Sequence, residues 1–262
     1  MSDLKKIKLF LLDMDGTIYL DNELFNGTLD FLRHVKASGG KYIFLTNNSS
    51  KSVDKYIEKL ASLGIDSVAD DFLTSTNATI TYLKGKNYKK IYASGTSSFK
   101  SQLAEAGLPV TDTLSDDIDC LCMGNDTELT FQKLEDSCIL LGRGVDYVAT
   151  NPDWVCPTWY GYVPDCGAVC DMLFRATKRK PKFIGKPEPD MALMAMEKTG
   201  FSVEETALVG DRLYTDIACG VNAGITTVFV LSGEGTLDDV EKSKEKPTFI
   251  YENIRKIYED IK

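Results

Sequence analysis

Four apolar residues in a row, Leu9-Phe10-Leu11-Leu12, run directly into Asp13-Met14-Asp15-Gly16-Thr17. A strand with one wet face would alternate apolar and polar residues. An unbroken run suits a strand covered on both faces, as in a parallel sheet packed between helices. In open α/β sheets ligands sit outside the carboxyl ends of the strands, and that is where these two acids stand. Carboxylates held there must be paired, hydrated or bound to a cation, because an unpaired buried charge is costly. Taken alone, Asp-x-Asp-Gly is equally compatible with a plain acidic turn, since Asp and Gly favour turns.

Three further segments repeat the pattern of an apolar run that ends in polar residues. Tyr42-Ile43-Phe44-Leu45 gives way to Thr46-Asn47-Asn48-Ser49-Ser50, whose hydroxyls and amides are uncharged donors suited to phosphate oxygens. Ser50 or Ser52 is also placed to cap a following helix. Phe183-Ile184-Gly185-Lys186-Pro187 sets one cation at the end of a short apolar strand; the plain alternative is a solvated surface lysine. Ala207-Leu208-Val209-Gly210 ends in Asp211, with Asp216 in the following loop or first helical turn, where a carboxylate also complements a helix N-terminus.

In this order and spacing, the four segments resemble the motifs of the haloacid dehalogenase superfamily of phosphatases. The long insert between Asn47 and Lys186, with Thr150-Asn151-Pro152-Asp153 inside it, resembles the NagD-like branch with its C2-type cap. The resemblance covers nearly the whole chain. It implies an α/β fold, a Rossmann-like parallel-sheet core with an inserted α/β cap domain. It implies a Mg²⁺-dependent phosphatase for small organic phosphate monoesters. Asp13 would be the nucleophile and Asp15 the acid and base. Mg²⁺ would be held by Asp13, the Asp15 backbone carbonyl and Asp211, with Asp216 supporting from outside. Thr46 and Asn47 would hold phosphate oxygens, and Lys186 would neutralise charge. A phosphomutase or a non-catalytic binding module on the same fold are the alternatives. The full set of site residues argues against the binding module.

The alternation of strand and helix patterns agrees with an α/β fold. Core segments are expected at 1–76 and 181–262, with the cap at 77–180. Core strands are expected near 7–13, 41–46, 183–185, 206–210, 226–230 and 248–251, and core helices near 27–38, 52–63, 188–199 and 215–223. In the cap, strands are expected at 91–93, 120–123 and 147–149, with helices near 98–106, 130–142 and from Gly167.

Within the cap, Trp154, Trp159, Tyr160 and Tyr162 cluster beside Pro164-Asp165-Cys166-Gly167-Ala168. The aromatics are expected to pack the cap core; the alternative is a loop that closes over the leaving group. The Pro164–Ala168 stretch resembles the family's substrate loop but departs from its Gly/Ser-rich form. Asp165 is a substrate-contact candidate that would repel a second anionic group. It is also placed to cap the helix beginning near Gly167.

A net charge of -9 argues against general binding to nucleic acid or to anionic membranes. A bound cation and Lys186 would reverse the local field for a phosphate ester. Seven cysteines with no Cys-x-x-Cys pair, beside one histidine, read as reduced, packed thiols in a cytoplasmic protein rather than a zinc site. That histidine, His34, has no place in the inferred chemistry. The N-terminal residues from Met1 to Lys6 lead into no signal peptide, and the sequence has no apolar stretch of membrane-spanning length. The expected partner is a small phosphate ester, with a homodimer through the cap left open.

Overall fold

The computed structural model describes residues 4–158 and 160–262 and divides into two compact units. The first unit comprises 1–46, 56–73 and 186–262, and the second 47–55 and 74–185. The second unit therefore takes in a piece of chain before the 77–180 segment expected from sequence.

The first unit is built on a six-stranded sheet in the order Phe249–Tyr251, Thr226–Val230, Thr206–Gly210, Leu9–Leu12, Lys41–Thr46 and Phe72–Thr74. Leu9–Leu12 pairs in parallel with Thr206–Val209 on one side and Lys41–Phe44 on the other. Its four side chains are all buried, as an uninterrupted apolar run requires. The helix Thr28–Ala37 buries Phe31, Leu32 and Val35 and stops at Gly39, whose positive φ of 77° follows the last turn. His34 meets the Tyr258 ring edge-on.

The second unit has its own five-stranded parallel sheet, ordered Lys182–Phe183, Asp146–Ala149, Cys120–Met123, Ile91–Ser94 and Val110–Thr111. Leu121, Met123, Leu140, Tyr147, Cys170 and Leu173 lie in one core cluster beside it. The helix Ser75–Lys84 and the strand Phe72–Thr74 before it were not expected. Thr74 and Asn77 form a reciprocal cap there, Thr74 Oγ1 accepting from the Asn77 N–H and Asn77 Oδ1 from the Thr74 N–H.

The aromatic residues of the cap correct an expectation. Val155–Thr158 and Gly161–Pro164 form an antiparallel hairpin outside the five-stranded sheet. Trp154, Tyr160 and Tyr162 are each more than 60% exposed, so they do not pack the core. A two-stranded ribbon lacks a second layer on which to bury both faces. Trp159 lies outside the described residues, as do Met1, Ser2 and Asp3 of the N-terminal segment. No described helix is long and apolar enough to cross a membrane. All seven cysteines are free, five of them buried.

Candidate active site

The central strand delivers Asp13 to the carboxyl edge of the sheet. The ladder continues one residue past the strand, the Asp13 N–H donating to the Val209 carbonyl at 2.9 Å. The chain then turns sharply. Gly16 takes φ +86°, its N–H donates to the Tyr19 carbonyl, and Met14 O accepts from Thr17 and Ile18. The short hairpin Tyr19–Leu20 with Glu23–Leu24 follows.

Lys186 is 2% exposed and is not the solvated lysine of the plain reading. Its Nζ donates to Asp13 Oδ1 and Asp216 Oδ1, both at 2.6 Å, and to the Leu45 carbonyl at 3.2 Å. Burial pulls its pKa down, but the two carboxylates outweigh that and hold the ammonium above the ordinary lysine value. Asp13 is pushed well above the usual carboxylate range by burial, against the pull of Lys186, and the charges of Asp216 and Asp211 push the same way.

Asp211 follows Gly210 at the end of the neighbouring strand. The Glu234 N–H donates to its Oδ2 at 2.7 Å, while its buried Oδ1 has no hydrogen-bond partner among the described residues. Burial, reinforced by Asp216, pushes Asp211 up to about 7. The backbone crowds this carboxylate from two sides. A Cβ built on Gly16 would come within 2.5 Å of Asp211 Oδ2, and one on Gly233 would overlap the same oxygen. Ser232 Oγ donates to the Gly16 carbonyl at 2.7 Å and ties the two loops together.

The helix expected over 215–223 begins differently. Leu213–Ile217 makes a wide π-type turn, the Ile217 N–H bonding to the Arg212 carbonyl five residues back, before the regular helix Ala218–Asn222. Such turns recur at functional sites. Here the turn aims Asp216 back at the strand end. Its Oδ2 accepts from the Arg212 N–H and its Oδ1 from Lys186.

Carboxylate oxygens of Asp13, Asp211 and Asp216 lie within 4.8 Å of one another. One ammonium, Lys186, pairs with two of these three acids. A surplus of negative charge and an unpartnered, buried Asp211 oxygen fit a hard divalent cation with oxygen ligands. Both Asp216 oxygens already have donors, which suits support from outside better than direct ligation.

Asp15 sits apart from this cluster. Its side chain is 40% exposed and touches Tyr19 and Lys59. Thr46 closes its strand as a buried residue. Asn47, the next residue, belongs to the second unit, where its amide donates to Asp153 Oδ2 at 2.7 Å and its carbonyl accepts from Ser75 Oγ. Asp165 is buried in the same unit. It caps the helix Cys166–Thr177 through the Cys166 N–H and accepts from Asn151 and Asn125. That is the capping role weighed from sequence. Tyr19, Lys59 and the Ser232-Gly233-Glu234 loop were not anticipated. The Gly-Glu-Gly run after a strand was the one available signal for the loop.

The description haloacid dehalogenase-like hydrolase matches residues 10–109, and a second model of the same class, HAD-hydrolase-like, matches 183–257. An acid sugar phosphatase of Staphylococcus aureus is 32% identical over 98% of this chain and 99% of its own length. A 4-nitrophenylphosphatase from Thermotoga maritima superposes with TM-score 0.93 at 39% identity over 99% of both chains. NagD from Escherichia coli K-12 gives 0.86 at 32%, covering 95% of this chain and 97% of its own. A glycerol phosphate phosphatase from Mycobacterium tuberculosis, solved with magnesium, gives 0.91 at 27%, covering 98% and 78%. The chain therefore belongs to the haloacid dehalogenase-like hydrolases, among the phosphatases of the NagD-like branch.

Proposed function

We propose that this phosphatase hydrolyses small organic phosphate monoesters with Mg²⁺ by way of an aspartyl-phosphate on Asp13. The observation that carries the reading is the pairing of Asp13 with a buried Lys186 beside a buried Asp211 oxygen that has no hydrogen-bond partner among the described residues. Asp13 Oδ attacks phosphorus and the bond to the leaving oxygen breaks, Asp15 giving that oxygen its proton. Water then attacks the phosphorus, and Asp15 takes the proton back. Lys186 stays charged throughout, holding Asp13 in place and offsetting charge on the transferred group. Thr46, which ends the strand beside Leu9–Leu12, is the phosphate-oxygen donor in this reading.

Asp13, Asp211 and the Asp15 carbonyl would hold Mg²⁺. Bound there, the ion neutralises phosphate oxygens and so supplies charge stabilisation. The substrates named for the relatives suggest sugar phosphates, glycerol phosphate and 4-nitrophenyl phosphate as the panel to try. Seven free thiols favour a cytoplasmic setting.

Asp13→Asn keeps the shape and removes the attacking anion. Phosphate release across the panel should fall by about 10³-fold or more, the scale of losing one member of a concerted set. Near-normal turnover by this variant, with deamidation excluded by mass spectrometry, would refute the assignment. Exhaustive chelation should stop turnover reversibly, and full activity in its presence would refute the Mg²⁺ requirement.

A further inference from the structure

Asp15 is held by two side chains that the chemistry above does not use. Tyr19 is fully buried, and its hydroxyl donates to Asp15 Oδ2 at 3.3 Å. Lys59 Nζ lies 3.6 Å from Asp15 Oδ1 and 3.8 Å from the centroid of the Tyr19 ring. Each Asp15 oxygen thus has its own partner, and the two partners contact each other through a cation–π interaction.

Local structure explains why Lys59 points inward. The helix Val53–Ser62 buries Tyr56 and Leu60, and Lys59 falls on the same face, three residues after Tyr56. Its side chain is 23% exposed, low for a lysine. On the other side, the tight turn at Gly16 returns the chain so that Tyr19 stands opposite Asp15, the two residues forming an isolated bridge.

We propose that Lys59 and Tyr19 are positioning residues that fix the Asp15 carboxyl for proton donation, Lys59 also compensating the negative charge that Asp15 gains as its proton leaves. The proposal rests on the assignment of Asp15 as the acid. The balance is simple. The Asp15 proton passes to the ester oxygen as its bond to phosphorus breaks, and the electron pair of the O–H bond stays on Asp15 beside the Lys59 ammonium. A carboxyl that is 40% exposed on a turn has several accessible rotamers. Two anchors restrict it to one, and orientation is a large part of what general acids contribute.

Proton donation matters for an alkoxide leaving group and hardly at all for 4-nitrophenolate, which departs readily as an anion. The value of kcat/KM reports only the steps through departure of the leaving group, so it excludes hydrolysis of the intermediate. The test compares kcat/KM for 4-nitrophenyl phosphate with that for the fastest alkyl phosphate of the panel, in Lys59→Met, Lys59→Arg, Tyr19→Phe and Asp15→Asn. For Lys59→Met, the alkyl ester should lose about tenfold while the nitrophenyl ester changes by less than about twofold, part of the range general acids contribute. Lys59→Arg, which keeps the charge and the ring contact, should recover most of the loss. Tyr19→Phe should show the same selectivity.

Equal losses on both esters, or no loss on either, in a Lys59→Met protein that melts like the parent would overturn the proposal. Should Asp15→Asn be selective against the alkyl ester while Lys59→Met is not, the positioning role alone fails. Should Asp15→Asn show no selectivity, the acid assignment fails and the positioning role with it.

Discussion

Asp211 gives the metal-free protein a stability that should fall as the pH rises. In an unfolded chain its carboxyl loses its proton near the ordinary 3.8, but in the folded protein burial and Asp216 move that loss to about 7. Between the two values the folded state holds a proton that the unfolded state lacks, so alkali favours unfolding. The whole interval corresponds to about 4 kcal/mol, since each unit is worth about 1.4 kcal/mol. From pH 5.5 to pH 8 the part still to be lost is about 2 kcal/mol, or roughly 4–8 °C of melting temperature for a chain of this size. Asp13, raised in the same direction, adds to the slope. Thermal unfolding in chelator at pH 5.5, 6.5, 7.5 and 8 measures it, with Asp211→Asn as the reference that removes this titration. Mg²⁺ competes with the proton for the same oxygens, so its stabilising effect should grow with pH, reaching about 2.7 kcal/mol at one hundred times its dissociation constant. A parent-minus-variant difference that stays flat or climbs from pH 5.5 to 8 would refute the reasoning.

Two further outcomes follow from packing. Gly16→Ala places a methyl within 2.5 Å of Asp211 Oδ2 at a φ of +86°, so it should weaken Mg²⁺ binding by about tenfold or more, measured by calorimetric titration, and cost about 1 kcal/mol in strain. Asp165→Ser keeps a helix cap but removes the acceptor of the Asn125 amide and one of the two acceptors of the Asn151 amide, which keeps Asp153, so it should lower stability by about 1–3 kcal/mol in denaturant melts while leaving the ranking of neutral and dianionic phosphates unchanged; a shifted ranking would return Asp165 to substrate contact.

The central core strands were legible because burial on both faces leaves an unmistakable run, whereas the short edge strand Phe72–Thr74 was not. Lys41–Thr46 and Thr206–Gly210 fall where the sequence places them. Asp13 and Asp211 were legible for the same reason: each ends such a run at the sheet's carboxyl edge. The run before Lys186 was expected as a core strand, but Lys182–Phe183 pairs with Asp146–Ala149 in the second unit's sheet, and only the chain beyond it returns to the first unit. Three features lay beyond this signal. Lys59 and Asp15 meet through tertiary packing of a helix whose own periodicity marks Val53, Tyr56, Ile57 and Leu60 as inward, and of these the structure buries Tyr56 and Leu60. The hairpin Val155–Pro164 contains prolines at both strands, which reads as loop. The exposed Trp154, Tyr160 and Tyr162 side chains look in sequence like core, because composition cannot report whether a second layer exists to cover them. Asp216 was placed correctly in the chain, yet its contact with Lys186 depends on a π-type turn that no residue pattern announces.

The central position of Leu9–Leu12 also bears on how the protein is made. One edge of this strand pairs with Lys41–Phe44 close by, but the other waits for Thr206–Val209, which the ribosome supplies only after the entire second unit. Until then the most apolar strand of the molecule keeps an open ladder edge, the kind of surface that recruits stray strands. The nascent chain is therefore most vulnerable while the insert is being synthesised. A second unit with its own sheet and core can fold during that interval, adding compact structure to the growing chain while the first sheet remains incomplete.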